Sequence, residues 1–213
     1  MTFRKLLVYL LFVLFVVRLG HSQYQFPTES PLQFGINYGS GTQQVFPFDS
    51  KNYHYNTRFY KLQLNYRMMT SRKWEFRINL EPSVYQNEHR SFEYVEHTTN
   101  KGMDDTHAKL NIFNEYSLNL GLQLKYRALK NVCTYLLGSI GPSLSDIETE
   151  RLNEGFAFSD ILALGITHSS SFGMFDFRLS MRHVSNAGLD YPNRGYNSMS
   201  FEIGYAVPLE GRY

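Results

Sequence analysis

After residue 31 the chain alternates hydrophobic and polar residues over most of its length. Strict alternation predicts a β-strand with one apolar and one polar face. The pattern is clear in six segments: residues 32–39, 60–68, 74–81, 118–126, 175–182 and 198–205. It is weaker in Val132–Pro142 and in Phe156–His168, where one side carries Phe158, Leu162, Leu164 and Ile166. The pattern therefore predicts eight strands of roughly 9 to 13 residues each.

The connections between these strands alternate in length. The long ones cover residues 40–57, 85–112, 143–155 and 186–195, and the short ones cover residues 69–72, 127–130 and 169–173. An even number of strands about 10 residues long, with short turns at one end and long loops at the other, is typical of an outer-membrane β-barrel. The predicted fold class is all-β, an eight-stranded antiparallel up-and-down transmembrane β-barrel.

The two faces of such strands have different surroundings. In a membrane barrel the apolar face contacts lipid, and with eight strands the polar side chains plug the lumen. We expect a lipid-facing set of Leu62, Phe76, Leu120, Leu164, Phe177 and Phe201, and a lumen-facing set of Gln63, Arg77, Gln123, Arg178 and Glu202. The alternative, a soluble lipocalin-like barrel or a sandwich, would place the apolar set inside.

Composition narrows the classes of partner. Aromatic residues make up 16% of the chain, charged residues make up 19%, and the formal net charge is +2. So small a net charge provides no strong field for nucleic acid, and we expect no nucleic-acid partner. The single cysteine, Cys133, excludes an internal disulfide and a cysteine-rich zinc site.

The amino terminus has the pattern of a targeting segment. Arg4 and Lys5 precede the apolar run Leu6–Val17, and small residues follow it at Gly20 and Ser22. This order is typical of a secretory signal peptide, and the run is shorter than the about 20 apolar residues of a spanning helix. We predict a signal peptide over residues 1–22 and a barrel domain over residues 23–213. An uncleaved anchor is the alternative.

Two polar residues close the apolar stripe of the seventh strand. The face that carries Leu179 and Met181 continues as His183 and Ser185, which lie about 6.6 Å apart along a strand. A base beside a hydroxyl is the minimal activated nucleophile. The alternative is a pair of interfacial residues near the lipid headgroups. Because a long loop follows, we expect the pair at the outer leaflet.

The region around this pair resembles a known family. His-x-Ser-Asn-Ala-Gly at 183–188, Pro-Asn-x-Gly at 192–195 and the alternating last strand are similar to the lipid A 3-O-deacylase (PagL-type), acyloxyacyl hydrolase-like outer-membrane family. Gly-Phe-Ala-Phe-Ser-Asp at 155–160, followed by Gly165, resembles the sixth strand of that family. The resemblance implies an outer-membrane esterase that removes the 3-hydroxyacyl chain from the 3 position of lipid A. Its partner would be lipopolysaccharide in the outer leaflet, and no cofactor is implied.

The resemblance also implies roles for particular residues. Ser185 matches the nucleophile of the family, and His183 matches its general base. The side chain of Asn193 and the backbone N–H of Gly188 match the donors of the oxyanion hole. Asn186 matches a motif position that we expect to fix the loop.

The third catalytic position departs from the family pattern. The family has a glutamate fourteen residues after the histidine, and this chain has Asn197. By parity Asn197 shares the face of His183, so its amide oxygen can accept the Nδ1–H. Because an amide carries no charge to stabilise an imidazolium, we expect a weak esterase or one adapted to asparagine. Asp190 in the loop is the alternative acid, whereas Glu202 has the wrong parity.

Other polar residues are weaker candidates for a functional site. The second long loop contains His89, His97, His107, Asp104 and Asp105, but their spacing matches no known set of metal ligands. We therefore expect no metal and a solvated or sugar-facing loop.

A second function class stays open: a non-catalytic structural or binding barrel that has lost the catalytic carboxylate. A homodimer also stays open.

Overall fold

The computed structural model describes residues 30–49, 53–91, 110–170 and 172–209. The predicted signal peptide lies outside the described residues. Eight antiparallel strands follow one another around a closed barrel, in which β1 pairs with both β2 and β8. They are β1 (Leu32–Thr42), β2 (Tyr53–Thr70), β3 (Trp74–Ser91), β4 (Leu110–Arg127), β5 (Val132–Ser145), β6 (Gly155–Ser169), β7 (Met174–Ser185) and β8 (Tyr196–Pro208). Among the described residues no helix has the length and hydropathy needed to cross a membrane.

The two faces of the barrel are arranged as the alternation predicts. The predicted lumen-facing residues are all buried, none more than 5% exposed: Gln63, Arg77, Gln123, Arg178 and Glu202. In the lipid-facing set Phe76 is half-buried, and the others are exposed: Leu62, Leu120, Leu164, Phe177 and Phe201. The apolar face is therefore outside and the fold-class prediction is confirmed. The soluble alternative is wrong, because it required the apolar set inside.

Charged side chains fill the lumen as paired groups. Arg178 lies 2.7 Å from Glu81, 3.4 Å from Asp176 and 3.5 Å from Glu202. Glu202 also accepts a hydrogen bond from Lys61 Nζ at 2.9 Å. Buried ions are tolerated only when they are paired and hydrogen-bonded, so the lumen is a packed polar core.

Five strands are longer than the alternation predicts. β2, β3 and β4 each contain 18 residues, and β5 and β6 contain 14 and 15, so the predicted length of roughly 9 to 13 residues is wrong for them. At the start of β2 the pattern inverts: Tyr53 and Tyr55 point inward and are fully buried, while His54 and Asn56 point outward and are exposed. Apolar-in and polar-out suits a sheet surrounded by water, so this end of the barrel continues beyond the lipid-facing band.

A hydrophobic cluster closes this end of the barrel from inside. We call it the mouth cluster; it consists of Tyr53, Tyr55, Phe113, Leu152, Ala157, Val184 and Tyr196. Two members are partners across the last strand pair, since Val184 on β7 faces Tyr196 on β8. Because side chains alternate along a strand, burying these two holds their chain neighbours His183, Ser185 and Asn197 on the outer face.

Candidate active site

His183 and Asn197 form the centre of the site. They are direct partners across β7 and β8, and His183 Nδ1 lies 2.9 Å from Asn197 Oδ1. An amide oxygen only accepts hydrogen bonds, so Nδ1 carries the hydrogen and a neutral ring keeps Nε2 free as an acceptor. The Asn197 backbone N–H donates in turn to Gln43 Oε1 at 3.0 Å. The contact fixes the tautomer that a general base at Nε2 requires.

Ser185 lies two residues beyond His183 on the same outer face and is half-buried. In the described part of the chain no hydrogen bond joins its hydroxyl to the imidazole, and catalytic hydrogen bonds often tighten only when substrate binds. Gly195 makes room beside it: its φ is +60°, and an added Cβ would lie 2.3 Å from the Val184 carbonyl oxygen and 3.3 Å from the Ser185 Cβ. A side chain at position 195 would therefore displace the strand end that carries Ser185.

Two asparagines organise the loop after Ser185. The Asn186 N–H donates to Asn193 Oδ1 at 2.8 Å, which orients the Asn193 amide and leaves its NH₂ group as a donor. Asn186 is itself buried, and its Nδ2 donates to the Asp190 carbonyl oxygen at 2.9 Å. These contacts suit the loop-fixing role expected for Asn186.

The backbone N–H of Gly188, which we expected as an oxyanion donor, already has a hydrogen-bond partner within the loop. It donates to Asn186 Oδ1 at 3.1 Å, two residues back along the chain. Asparagine side chains commonly close such short turns onto the backbone. In this conformation the Gly188 N–H stabilises the loop, and Asn193 offers the donor that the loop leaves available.

The loop between β5 and β6 supports the loop that carries Asn193. Leu152 pairs with Asn193 as an isolated β-bridge, and Arg151 Nε donates to the Gly195 carbonyl oxygen at 2.8 Å. Asp190 is engaged in the same contact, because its Oδ2 accepts from Asn153 Nδ2 at 2.6 Å. The alternative acid is therefore bound between the loops, and in the described structure no contact joins it to His183.

These contacts between loops could not be predicted from the sequence, since no local pattern indicates them. Asp160 on β6 was also not among the predicted site residues. In the strand register it lies directly opposite His183 on β7. The signal for Asp160 was available, because it falls in the alternation between Phe158 and Leu162.

The expected absence of a metal site concerns the second long loop. Of its candidates only His89 is described, and His97, His107, Asp104 and Asp105 lie outside the described residues. His89 is buried on the inner face of β3, where Asn111 Nδ2 lies 3.1 Å from its Nε2 and Glu150 lies 3.6 Å away. Within the described ranges no group of three His, Cys, Asp or Glu side chains is placed to hold a metal ion.

Known proteins share both the sequence pattern and the architecture. The family model of lipid A 3-O-deacylase (PagL) matches residues 58–206, which is more than half of the chain. The chain belongs to the PagL family. As a member of the PagL family it is an outer-membrane β-barrel protein of a Gram-negative bacterium. In barrels of this kind the longer connections are extracellular.

The chain is similar to several solved structures at low sequence identity. The outer-membrane enzyme PagL is 16% identical over 82% of this chain and 99% of its own, with a TM-score of 0.45. Neisserial surface protein A is 11% identical over 84% of this chain and 98% of its own, with a TM-score of 0.54. Ail of Yersinia pestis is 17% identical over 82% and 98%, with a TM-score of 0.36. No curated protein sequence matches the chain.

Proposed function

We propose that this PagL-family protein is a serine esterase that removes an ester-linked 3-hydroxyacyl chain from lipid A in the outer leaflet. Ser185 is the nucleophile, His183 the general base, Asn197 the residue that orients the base, and Asn193 the oxyanion donor. The observation that carries the proposal is the hydrogen bond of 2.9 Å between His183 Nδ1 and Asn197 Oδ1 on the outer face. It prepares the imidazole for base catalysis on the face of β7 that also carries the Ser185 hydroxyl, two residues along the strand.

The reaction takes two steps. His183 Nε2 accepts the proton of Ser185 Oγ while the oxygen attacks the ester carbonyl carbon, and the developing oxyanion accepts a hydrogen bond from Asn193 Nδ2. Collapse breaks the bond to the sugar oxygen, which takes the proton from His183 and leaves an acyl-enzyme. A water molecule then gives its proton to His183 and attacks the acyl carbon, so that the hydroxy fatty acid leaves and Ser185 regains its proton.

The position of the site supports a lipid substrate. His183, Ser185 and Asn197 lie on the outer wall, in line with the lipid-facing stripe of Leu179 and Met181 on β7. The esters of an outer-leaflet lipid lie at the boundary between acyl chains and headgroups. A substrate held in the membrane can therefore reach the nucleophile without leaving it.

Expression in a Gram-negative host with fully acylated lipid A tests the proposal. Mass spectrometry of the extracted lipid A should show the loss of one hydroxyacyl group with the wild type and none with Ser185→Ala. Ser40→Ala is the matched control, because Ser40 is exposed on the outer face of β1. Both variants should keep the heat-dependent gel migration of a folded barrel. Unmodified lipid A with the wild-type protein would contradict the proposal.

One observation favours the second candidate, a non-catalytic structural or binding barrel. The amide of Asn197 cannot balance the charge of an imidazolium. Replacing the acid of a Ser-His-Asp triad by asparagine costs about 10⁴-fold in kcat, because the asparagine favours the wrong tautomer of the histidine. If Asn197→Glu cleaves lipid A and the wild type does not, the natural protein is this non-catalytic barrel.

A further inference from the structure

A carboxylate interrupts the lipid-facing stripe of β6 beside the site. Asp160 lies on the outer face, next to the buried Ile161 and two residues before the exposed Leu162. Its cross-strand partner on β7 is His183. One row across three strands therefore holds Asp160, His183 and Asn197 in that order.

Among its direct strand neighbours in the described structure, Asp160 has one that can carry a positive charge. Along β6 its outer-face neighbours are Phe158 and Leu162, and across β5 it faces Ile140. Its Oδ1 is shielded from solvent and makes no hydrogen bond to the described part of the protein. Holding an unsatisfied carboxylate oxygen beside apolar groups costs free energy. Among these neighbours only His183, on the other side of Asp160, can become a cation.

We propose that Asp160 is a positioning residue for the reaction, which supplies from β6 the negative charge that stabilises the His183 imidazolium. Residues directly opposite in an antiparallel pair have Cβ atoms about 4.5–5.5 Å apart. The two side chains are therefore neighbours on the outer face. A carboxylate close to an imidazole stabilises an imidazolium that forms there, and the effect is stronger where lipid lowers the dielectric. The inference rests on the proposed function, since it assigns a role in the same reaction.

The two roles of a triad acid, orienting the histidine and supplying negative charge, are then divided between two strands. Asn197 on β8 accepts the Nδ1–H and fixes the ring without charge. When Ser185 Oγ bonds to the ester carbon and its proton moves to Nε2, the imidazolium forms in the row between this amide and the Asp160 carboxylate. The charge disappears when the proton passes to the sugar oxygen. Asp160 therefore stabilises the transition state more than the ground state.

A double-mutant cycle between Asp160 and Asn197 tests the inference with purified protein and lipid A in detergent. Asp160→Asn should lower kcat by about 10- to 100-fold with little change in KM. In the Asn197→Glu background, where β8 supplies the charge, Asp160→Asn should cost less than about threefold.

The controls separate charge from structure. Asp160→Glu should keep most of the activity, and Glu148→Gln, which removes one exposed carboxylate from the β5–β6 loop, should keep all of it. An equal loss for Asp160→Asn in both backgrounds would overturn the inference, because a structural role or a substrate contact predicts that result. Full activity of Asp160→Asn beside an inactive Ser185→Ala would overturn the inference alone. An active Ser185→Ala would overturn the proposed function itself.

Discussion

His183 and Asn197 face each other across β7 and β8, and the imidazole Nδ1 lies 2.9 Å from the amide oxygen. The pair has the geometry of a base and its orienting residue, and it lacks the charge that a carboxylate would bring. Because the oxygen of the Asn197 amide faces Nδ1, as in a Cys-His-Asn site, it selects the same tautomer that a carboxylate would. The loss of charge therefore need not disturb the position of the ring. Geometry and charge can therefore be tested separately in this protein.

Truncating the orienting residue tests the geometry. Asn197→Ala should lower kcat by about 10- to 10³-fold and leave KM nearly unchanged, because only the alignment of His183 in the transition state is lost. Initial rates on one purified lipid A substrate give both constants. If Asn197→Ala is silent and Asp190→Ala is inactive, then Asp190 is the third residue and the parity argument chose the wrong partner.

Restoring the charge tests the electrostatics. Asn197→Glu should raise kcat, because an anion next to the developing imidazolium stabilises it in a water-poor site. The desolvation of the new carboxylate opposes part of this gain. The measurement is kcat of Asn197→Glu against wild type on the same substrate. A fall in kcat in a correctly folded variant would show that the site is adapted to the native amide.

The oxyanion donor can be tested with a nearly isosteric variant. Asn193→Asp keeps the oxygen that accepts from the Asn186 N–H at 2.8 Å and removes the NH₂ donor. We expect kcat to fall by about 10²- to 10³-fold. Asn193→Ser is shorter but can still donate a hydrogen bond. Its kcat should lie between the values of the wild type and Asn193→Asp. Wild-type rates for Asn193→Asp would remove Asn193 from the mechanism.

The lumen network makes a prediction about stability. Arg178 is 1% exposed and lies within 3.5 Å of Glu81, Asp176 and Glu202. Arg178→Met would leave these carboxylates without that cation, and breaking a buried ion pair costs about 3–5 kcal/mol. Urea unfolding followed by tryptophan fluorescence should show the loss. Arg58→Met on the exposed outer face of β2 is the control and should change stability by less than about 0.5 kcal/mol.

His89 predicts a pH dependence of stability at the extracellular end. Burial lowers its pKa, Glu150 opposes the shift and Arg151 adds to it. The folded protein therefore holds the ring neutral, whereas the unfolded chain binds a proton below about pH 6.5. The contribution to stability is complete above this pH and falls as the pH decreases toward the lowered folded-state pKa. The urea midpoint should drop less between pH 7.5 and 5.5 in His89→Gln than in the wild type, and equal drops would contradict the assignment.

Most of the architecture could be predicted from the sequence, because a closed sheet with lipid outside and a packed lumen imposes period two on every strand. The same parity placed Asn197 on the face of His183, and the register then pairs them directly. The ends of β2, β3 and β4 could not be predicted this way. At the start of β2, for example, the inward positions are aromatic, at Tyr53 and Tyr55, and the outward positions are polar.

The loop contacts depend on three-dimensional packing that no local pattern encodes. The hydrogen bond from Asn153 to Asp190 joins residues 37 positions apart. The hydrogen bond from the Gly188 N–H to Asn186 depends on how the Asn186 side chain is held in the loop. The neighbours of Asp160 depend on the register between β6 and β7, which alternation alone leaves open by steps of two residues.

Covalent labelling measures the central claim, that Ser185 is a nucleophile activated by His183. Purified protein in detergent is treated with a long-chain alkyl phosphonate that mimics the tetrahedral intermediate, and the adduct is located by peptide mass spectrometry. The account predicts one adduct on Ser185, loss of lipid A cleavage in proportion to labelling, and no adduct in folded His183→Ala. An adduct at another residue, or complete labelling of Ser185 with cleavage unimpaired, would contradict it.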